Sequence, residues 1–156
     1  MIAISQSGET ADTLAAIHLA KQHGCLCLGI CNTVGSTIAR ETDGGVYLHA
    51  GPEIGVASTK AFSAQVLTLA MVALKLAHER KEIDEPTLKS HLEAMRELPS
   101  LMRRVLDQKD AIFQSARAYR YASNFLYLGR GFNFPVALEG ALKLKEISCV
   151  ISQISP

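Results

Sequence analysis

Apolar and polar positions along the chain change period from strand to helix and back. Residues 2–5 (Ile-Ala-Ile-Ser) read as a short strand. Residues 10–23 read as a helix whose turns are closed by Leu14, Ile17 and Ala20 or Lys21, with Gly24 as its C-cap. Residues 25–31 are a continuous apolar run of strand length, the pattern of a parallel strand covered on both faces. A polar turn at 32–36, a short helix at 37–41 and a third strand at 45–48 follow. The loop 51–57 then leads into Ser58-Thr59-Lys60, where a long helix begins and runs to about His78. Phe62, Val66, Leu67, Leu69, Met71 and Leu74 make that helix apolar nearly all round, which predicts burial.

From residue 81 to about 122 the pattern becomes amphipathic and predicts two or three helices. Leu88, Leu92 and Met95 share one face, and Leu101, Val105 and Leu106 another. Pro86 and Pro99 suit first-turn positions, and Arg103 and Arg104 suit a solvated face. A strand at 125–128, a Gly129-Arg130-Gly131 turn and a helix at 135–148 repeat the strand–turn–helix order of residues 2–23. The organisation expected is therefore a partial first lobe (1–80), a helical connector (81–122) and the start of a second lobe (123–156). Alternating strands and helices predict an α/β fold, a layered parallel sheet of the Rossmann or flavodoxin kind with right-handed crossovers. Ligands of such sheets gather beyond the carboxyl ends of the strands, where residues 5–10 and 32–36 lie. One strand and one helix cannot bury a core alone, and the first lobe opens directly on a strand. The chain thus reads as a piece of a larger protein.

Composition narrows this little. With 156 residues, 48% of them hydrophobic and 20% charged, the chain is of ordinary globular make-up. A net charge of +1 gives no electrostatic case for nucleic acid or an anionic membrane. The longest apolar-dominated run, 66–77, contains Thr68 and Lys75 and is too short to span a bilayer. Met1 leads into a strand without a basic region, so no signal peptide is expected. Cys25, Cys27 and Cys31 share strand parity, and Cys-x-Cys-x3-Cys is not a usual zinc spacing. With Cys149 they read as buried reduced thiols, which points to a cytoplasmic home and to no metal site. Histidines 18, 23, 49, 78 and 91 are scattered, as surface or packing residues are.

The chemistry concentrates in Ser5-Gln6-Ser7-Gly8-Glu9-Thr10. A strand feeding a hydroxyl-rich turn and then a helix presents backbone N–H groups at the positive end of the helix dipole, a place for a phosphate. Ser5, Ser7 and Thr10 add hydroxyl donors, and Gly8 lets the chain pass close to a ligand. The turn has no lysine, so it is not Gly-x4-Gly-Lys-[Ser/Thr]. The alternative is simple N-capping, worth about 1 kcal/mol per residue. Ser58 puts a hydroxyl at a second helix start. Further on, Glu139, Lys143 and Glu146 fall at i, i+4 and i+7 on one helical face. They form either a solvated ion-pair stripe or, if the face lines a pocket, a carboxylate base with a positioned lysine.

Five blocks together resemble the isomerase half of the glucosamine-6-phosphate synthase family, the glutamine–fructose-6-phosphate aminotransferases. They are Ser-Gln-Ser-Gly-Glu-Thr-Ala-Asp-Thr-Leu at 5–14, Ile-Cys-Asn-Thr-Val-Gly-Ser at 30–36 and Glu-Ile-Gly-Val-Ala-Ser-Thr-Lys-Ala-Phe at 53–62. Leu-Gly-Arg-Gly at 128–131 and Ala-Leu-Glu-Gly-Ala-Leu-Lys-Leu-Lys-Glu-Ile-Ser at 137–148 complete the set. The first block alone indicates only the broader sugar-isomerase (SIS) fold, whereas 53–62 and 137–148 are specific to the family.

The resemblance implies that Ser5, Gln6, Ser7 and Thr10 hold the phosphate of fructose 6-phosphate, and that Val56 (by its backbone) and Ser58 hold the sugar chain. It implies Glu146 as the carboxylate that moves a proton between C1 and C2 after ammonia joins the ketose, with Lys143 as its catalytic neighbour. It further implies no metal or organic cofactor, and a homodimer in the full-length protein. After Ser148 the sequence to Pro156 departs from the family's continuation, which carries a ring-opening histidine and a Schiff-base lysine. The glutaminase domain is also absent, so the chain alone is expected to be inactive. The rival expectations are a non-catalytic phosphosugar-binding module of the same fold, and a structural pseudo-domain whose turns are only caps.

Overall fold

The structure, a computed structural model, describes residues 1–148 and the backbone of the strand Ile151–Ser155. The chain divides into two compact units, Met1–Ala73 and Leu74–Pro156.

The first unit runs β1 (Ile2–Ser5), α1 (Ala11–Gln22), β2 (Leu28–Cys31), α2 (Thr37–Glu41) and β3 (Gly44–Tyr47). The strands form one parallel sheet in the order β1-β2-β3, with Ile2 opposite Leu28 and Leu28 opposite Gly44. Parallel pairing needs a crossover, and α1 and α2 supply it. One face of the sheet is packed: Ala3, Cys27, Cys31, Ile17 of α1 and Ile38 of α2 form the core, flanked by Leu14, Ala20, Ala39 and Tyr47. Ile2, Ile4 and Val46 point the other way and remain partly exposed, whereas Ile30 between Ile4 and Val46 is buried.

Two expectations for the cysteines change here. β2 begins at Leu28, not at Cys25, and Cys25 is exposed while Cys27 and Cys31 are buried. The cause is the end of α1: the Cys25 amide bonds the Ala20 carbonyl (3.0 Å) and that of Gly24 bonds Lys21 (2.9 Å). Cys25 therefore belongs to the helix cap, and its strand parity has no consequence. Cys149 lies outside the described residues.

The helix α3 (Lys60–Glu79) contains the boundary between the units. It was expected to be buried, yet among its residues only Ala61 is, and Val66, Met71 and Leu76 are about half exposed. A helix apolar on every side needs neighbours on every side, and sequence period cannot supply them. Its 20 residues also meet the length and composition of a membrane span, which the run 66–77 does not. Core helices of globular proteins share that length and composition.

The second unit continues with α4 (Glu85–Leu106), α5 (Lys109–Tyr119), β4 (Asn124–Leu128), α6 (Asn133–Ile147) and β5 (Ile151–Ser155). The Asp84 carboxylate caps α4 by accepting from the Thr87 amide (2.9 Å). Pro86 sits in the first turn as expected, but Pro99 lies inside α4. The Met95 carbonyl consequently has no amide four residues on to bond, and the helix continues past that gap. Arg103 and Arg104 are exposed. The single strand expected in this unit gains a partner: β5 pairs parallel with β4, Asn124 opposite Ile151. Ala137 and Ala141 of α6 are buried, and Gly140 leaves room for the Tyr127 ring of β4, which a Cβ would approach to 3.0 Å.

Candidate functional site

The turn at residues 5–10 leaves the carboxyl end of β1. Ser5 is buried there, and its Oγ lies 2.8 Å from Thr10 Oγ1 and accepts from the Gly8 amide at 3.0 Å. Ser7 Oγ accepts from the Glu9 amide at 3.2 Å. Thr10 has the conformation of an N-cap for α1, but its side chain makes no capping hydrogen bond. Simple capping therefore does not account for the Thr10 hydroxyl, which is turned to Ser5. The amides of residues 11–13 have no intrahelical acceptor, as at any helix start, because Leu14 is the first to bond back, to the Thr10 carbonyl (3.0 Å).

A second turn, after β2, is bound to the first. The Asn32 amide donates to the Gln6 carbonyl (3.2 Å) and the Ile38 amide to the Gly8 carbonyl (2.9 Å). The Thr37 amide donates to Glu9 Oε1 at 2.8 Å, and Thr37 holds the Glu9 carboxyl below the usual carboxylate range. Gly8 has φ +71°, and a Cβ on it would stand 2.0 Å from Ser36 Oγ and 2.4 Å from Ser36 Cβ. Only glycine combines that conformation with that proximity. The Ser36 hydroxyl is buried and makes no hydrogen bond of good geometry. Burial pushes the nearby Cys31 thiol up. The Arg40 guanidinium is engaged with the Gly35 carbonyl and with Thr37 Oγ1, and the turn at residues 5–10 itself contains no cationic side chain.

A third segment, after β3, joins through Asn32. Its Nδ2 donates to the Gly51 carbonyl (2.7 Å) and its Oδ1 accepts from the Ala50 amide (2.9 Å). Two residues further, the Glu53 carboxylate gathers the start of α3. It accepts from the Ala61 amide (3.0 Å), Thr59 Oγ1 (3.1 Å), the Thr59 amide (3.3 Å) and Ser58 Oγ (3.4 Å). The Ala61 amide is the main reason that its carboxyl lies below the usual range. Val56 is 90% exposed. Ser58 is partly buried and is directed at Glu53, so the α3 cap is this carboxylate and not the Ser58 hydroxyl.

In the second unit, α6 brings its three charged residues together as the i, i+4, i+7 spacing requires. Lys143 Nζ lies 3.0 Å from Glu139 Oε1 and 2.9 Å from Glu146 Oε2. Side-chain exposures of 22%, 25% and 31% for Glu139, Lys143 and Glu146 set this apart from a fully solvated stripe. Hydrogen bonds from Lys143 to Glu146 and then to Glu139 raise the Lys143 pKa, so the ammonium persists. Among the described residues no cluster of three or more His, Cys, Asp or Glu side chains is arranged to hold a metal ion.

Ser5, Gln6, Ser7 and Thr10 thus form one turn, and Lys143 and Glu146 one ion-paired group. Ser58 belongs to the α3 cap, with Val56 two residues before it on the exposed loop. Sequence reasoning missed Glu9, Asn32, Ser36 and Glu53. Glu9, Asn32 and Ser36 meet residues on other loops, and only the position of Glu53 ahead of a helix start offered a signal.

Residues 1–75 match the SIS domain family. Over all 156 residues the chain is 54% identical to a glutamine–fructose-6-phosphate aminotransferase [isomerizing] of Bacteroides thetaiotaomicron. It is 57% identical over the same length to that of Chlorobaculum tepidum. Both alignments include residues 149–156. The chain spans about a quarter (25%) of the length of each relative. The C-terminal domain of glucosamine-fructose-6-phosphate aminotransferase from Francisella tularensis superposes with a TM-score of 0.95 at 37% identity, over 99% of this chain and 44% of that one.

Proposed function

Residues 1–75 belong to the SIS domain family, and on that premise we propose that the chain is the sugar-isomerase portion of an isomerising glutamine–fructose-6-phosphate aminotransferase. The observation that carries the reading is the turn at 5–10. Its Ser5 and Thr10 hydroxyls are joined at the carboxyl end of a parallel strand, and the Thr10 side chain is not consumed in capping α1. Ser5, Gln6, Ser7 and Thr10 bind the phosphate through neutral donors and the α1 dipole. Val56, by its backbone, and Ser58 bind the sugar chain.

The reaction joins ammonia to C2 of open-chain fructose 6-phosphate with loss of water. The Glu146 carboxylate then takes a proton from C1 and returns it to C2 while the O1 hydroxyl proton passes to the imine nitrogen, which leaves an aldehyde at C1 and an amine at C2, glucosamine 6-phosphate. Lys143, 2.9 Å from Glu146, keeps that carboxylate oriented between the two transfers. The parent works as a cytoplasmic homodimer, with no metal or organic cofactor, and this chain by itself turns over no substrate.

Two measurements test this. Fructose 6-phosphate raises the melting temperature of the chain, and Ser5→Ala removes the effect. In the longer aminotransferase carrying this segment, Glu146→Gln abolishes turnover and spares sugar-phosphate binding. Undiminished turnover in that variant would refute the role given to Glu146.

A further inference from the structure

In the first unit, residues 5–10 are connected to Ser58 by two sets of hydrogen bonds, one around Asn32 and one around Glu53, joined by the covalent backbone of residues 51–53. The Asn32 backbone amide donates to Gln6 on the phosphate turn, while both ends of its carboxamide are spent on Ala50 and Gly51. It is only 9% exposed, so those bonds lie where water competes poorly. Two residues beyond Gly51, Glu53 takes over and gathers Ser58, Thr59 and Ala61. A cap for α3 would need only the two amides, yet two hydroxyls are also turned to the same carboxylate.

We propose that Asn32 and Glu53 are positioning residues that fix the span between the phosphate turn and Ser58, and so select ligands by the hydroxyl chain attached to the phosphate. This rests on the phosphosugar reading above and adds a chemical class to it. The Ser58 hydroxyl proton is committed to Glu53 (3.4 Å), so Ser58 offers a ligand only acceptor lone pairs. It therefore recognises a donor, such as a sugar hydroxyl, at one distance from the phosphate. Inorganic phosphate does not reach it, and depends on residues 5–10 alone.

The test is calorimetric titration of the 156-residue chain with fructose 6-phosphate and, separately, with inorganic phosphate, before and after Glu53→Gln and Asn32→Ala. Each substitution is expected to weaken fructose 6-phosphate about tenfold, the scale of one lost hydrogen bond, and to leave phosphate within about twofold. A purely structural role would move both ligands together or neither, and either result overturns the proposal. Glu53→Gln, at a partly exposed position, keeps the test decisive if Asn32→Ala fails to fold. If the unsubstituted chain binds phosphate as tightly as fructose 6-phosphate, the sugar-chain role of Ser58 is what fails, and the positioning role falls with it. If it binds neither, the phosphosugar reading itself is refuted.

Discussion

Replacing Gly8 by alanine separates two costs that the structure assigns to one position. Holding an alanine at φ +71° in the left-handed region costs about 1 kcal/mol. The new Cβ would also stand 2.0 Å from Ser36 Oγ and 2.4 Å from Ser36 Cβ, far inside any real contact. Ser36 is buried and cannot simply swing into solvent, so relieving the overlap costs a further ~1–3 kcal/mol. Gly35 is the control: it has φ +70° with nothing within 4 Å of its Cβ position, so Gly35→Ala carries the strain alone, about 1 kcal/mol. The difference between the two variants is the overlap. Amide hydrogen exchange of β1 and β2 reads it locally, without mixing in the second unit. Adding Ser36→Gly to Gly8→Ala deletes both overlapping atoms and should return ~1–3 kcal/mol as a coupling energy. The reasoning is wrong if Gly8→Ala costs no more than Gly35→Ala, or if Ser36→Gly returns nothing.

A thiol reagent should modify Cys25 rapidly in the folded chain and spare Cys27 and Cys31, which are buried, the Cys31 thiol also being pushed up by burial; equal rates at the three would contradict the packing of β2. The Glu53 carboxyl is held below its ordinary value, so its stabilisation of the α3 start is complete above about pH 4.3 and is lost as the pH falls through the lower folded value. Exchange of the Ala61 amide should therefore stay protected through the ordinary carboxylate range, and loss of protection already at pH 5 would contradict the cap.

Local chemistry was legible in the sequence, and non-local packing was not. The strand at 2–5, the turn that follows and the helix at 37–41 stand where the pattern put them, because each is decided by neighbours a few residues away. Glu139, Lys143 and Glu146 meet because helical geometry leaves them no choice. Cys25 misled because an apolar residue in a helix cap looks like the first residue of a strand. Pro99 misled because a helix as long as α4 continues past one missing amide. The covering of α3 depends on what packs against it, which a periodicity cannot contain. Asn32 was invisible for a related reason: it acts on a loop far along the chain, through a polar side chain that looks like an ordinary turn residue.

The ladders have a consequence for how the molecule is made. Ile2 pairs with Leu28, Leu28 with Gly44 and Asn124 with Ile151, so each strand meets the next one in its own unit after a single helix. Closing short loops costs little entropy, and sheets assembled from such near neighbours form fast for parallel ones. The partners of β1 and β2 have all been synthesised once Tyr47 has left the ribosome. The turn at residues 5–10 can therefore be in place before any residue of the second unit exists, while Glu146 is still to be added.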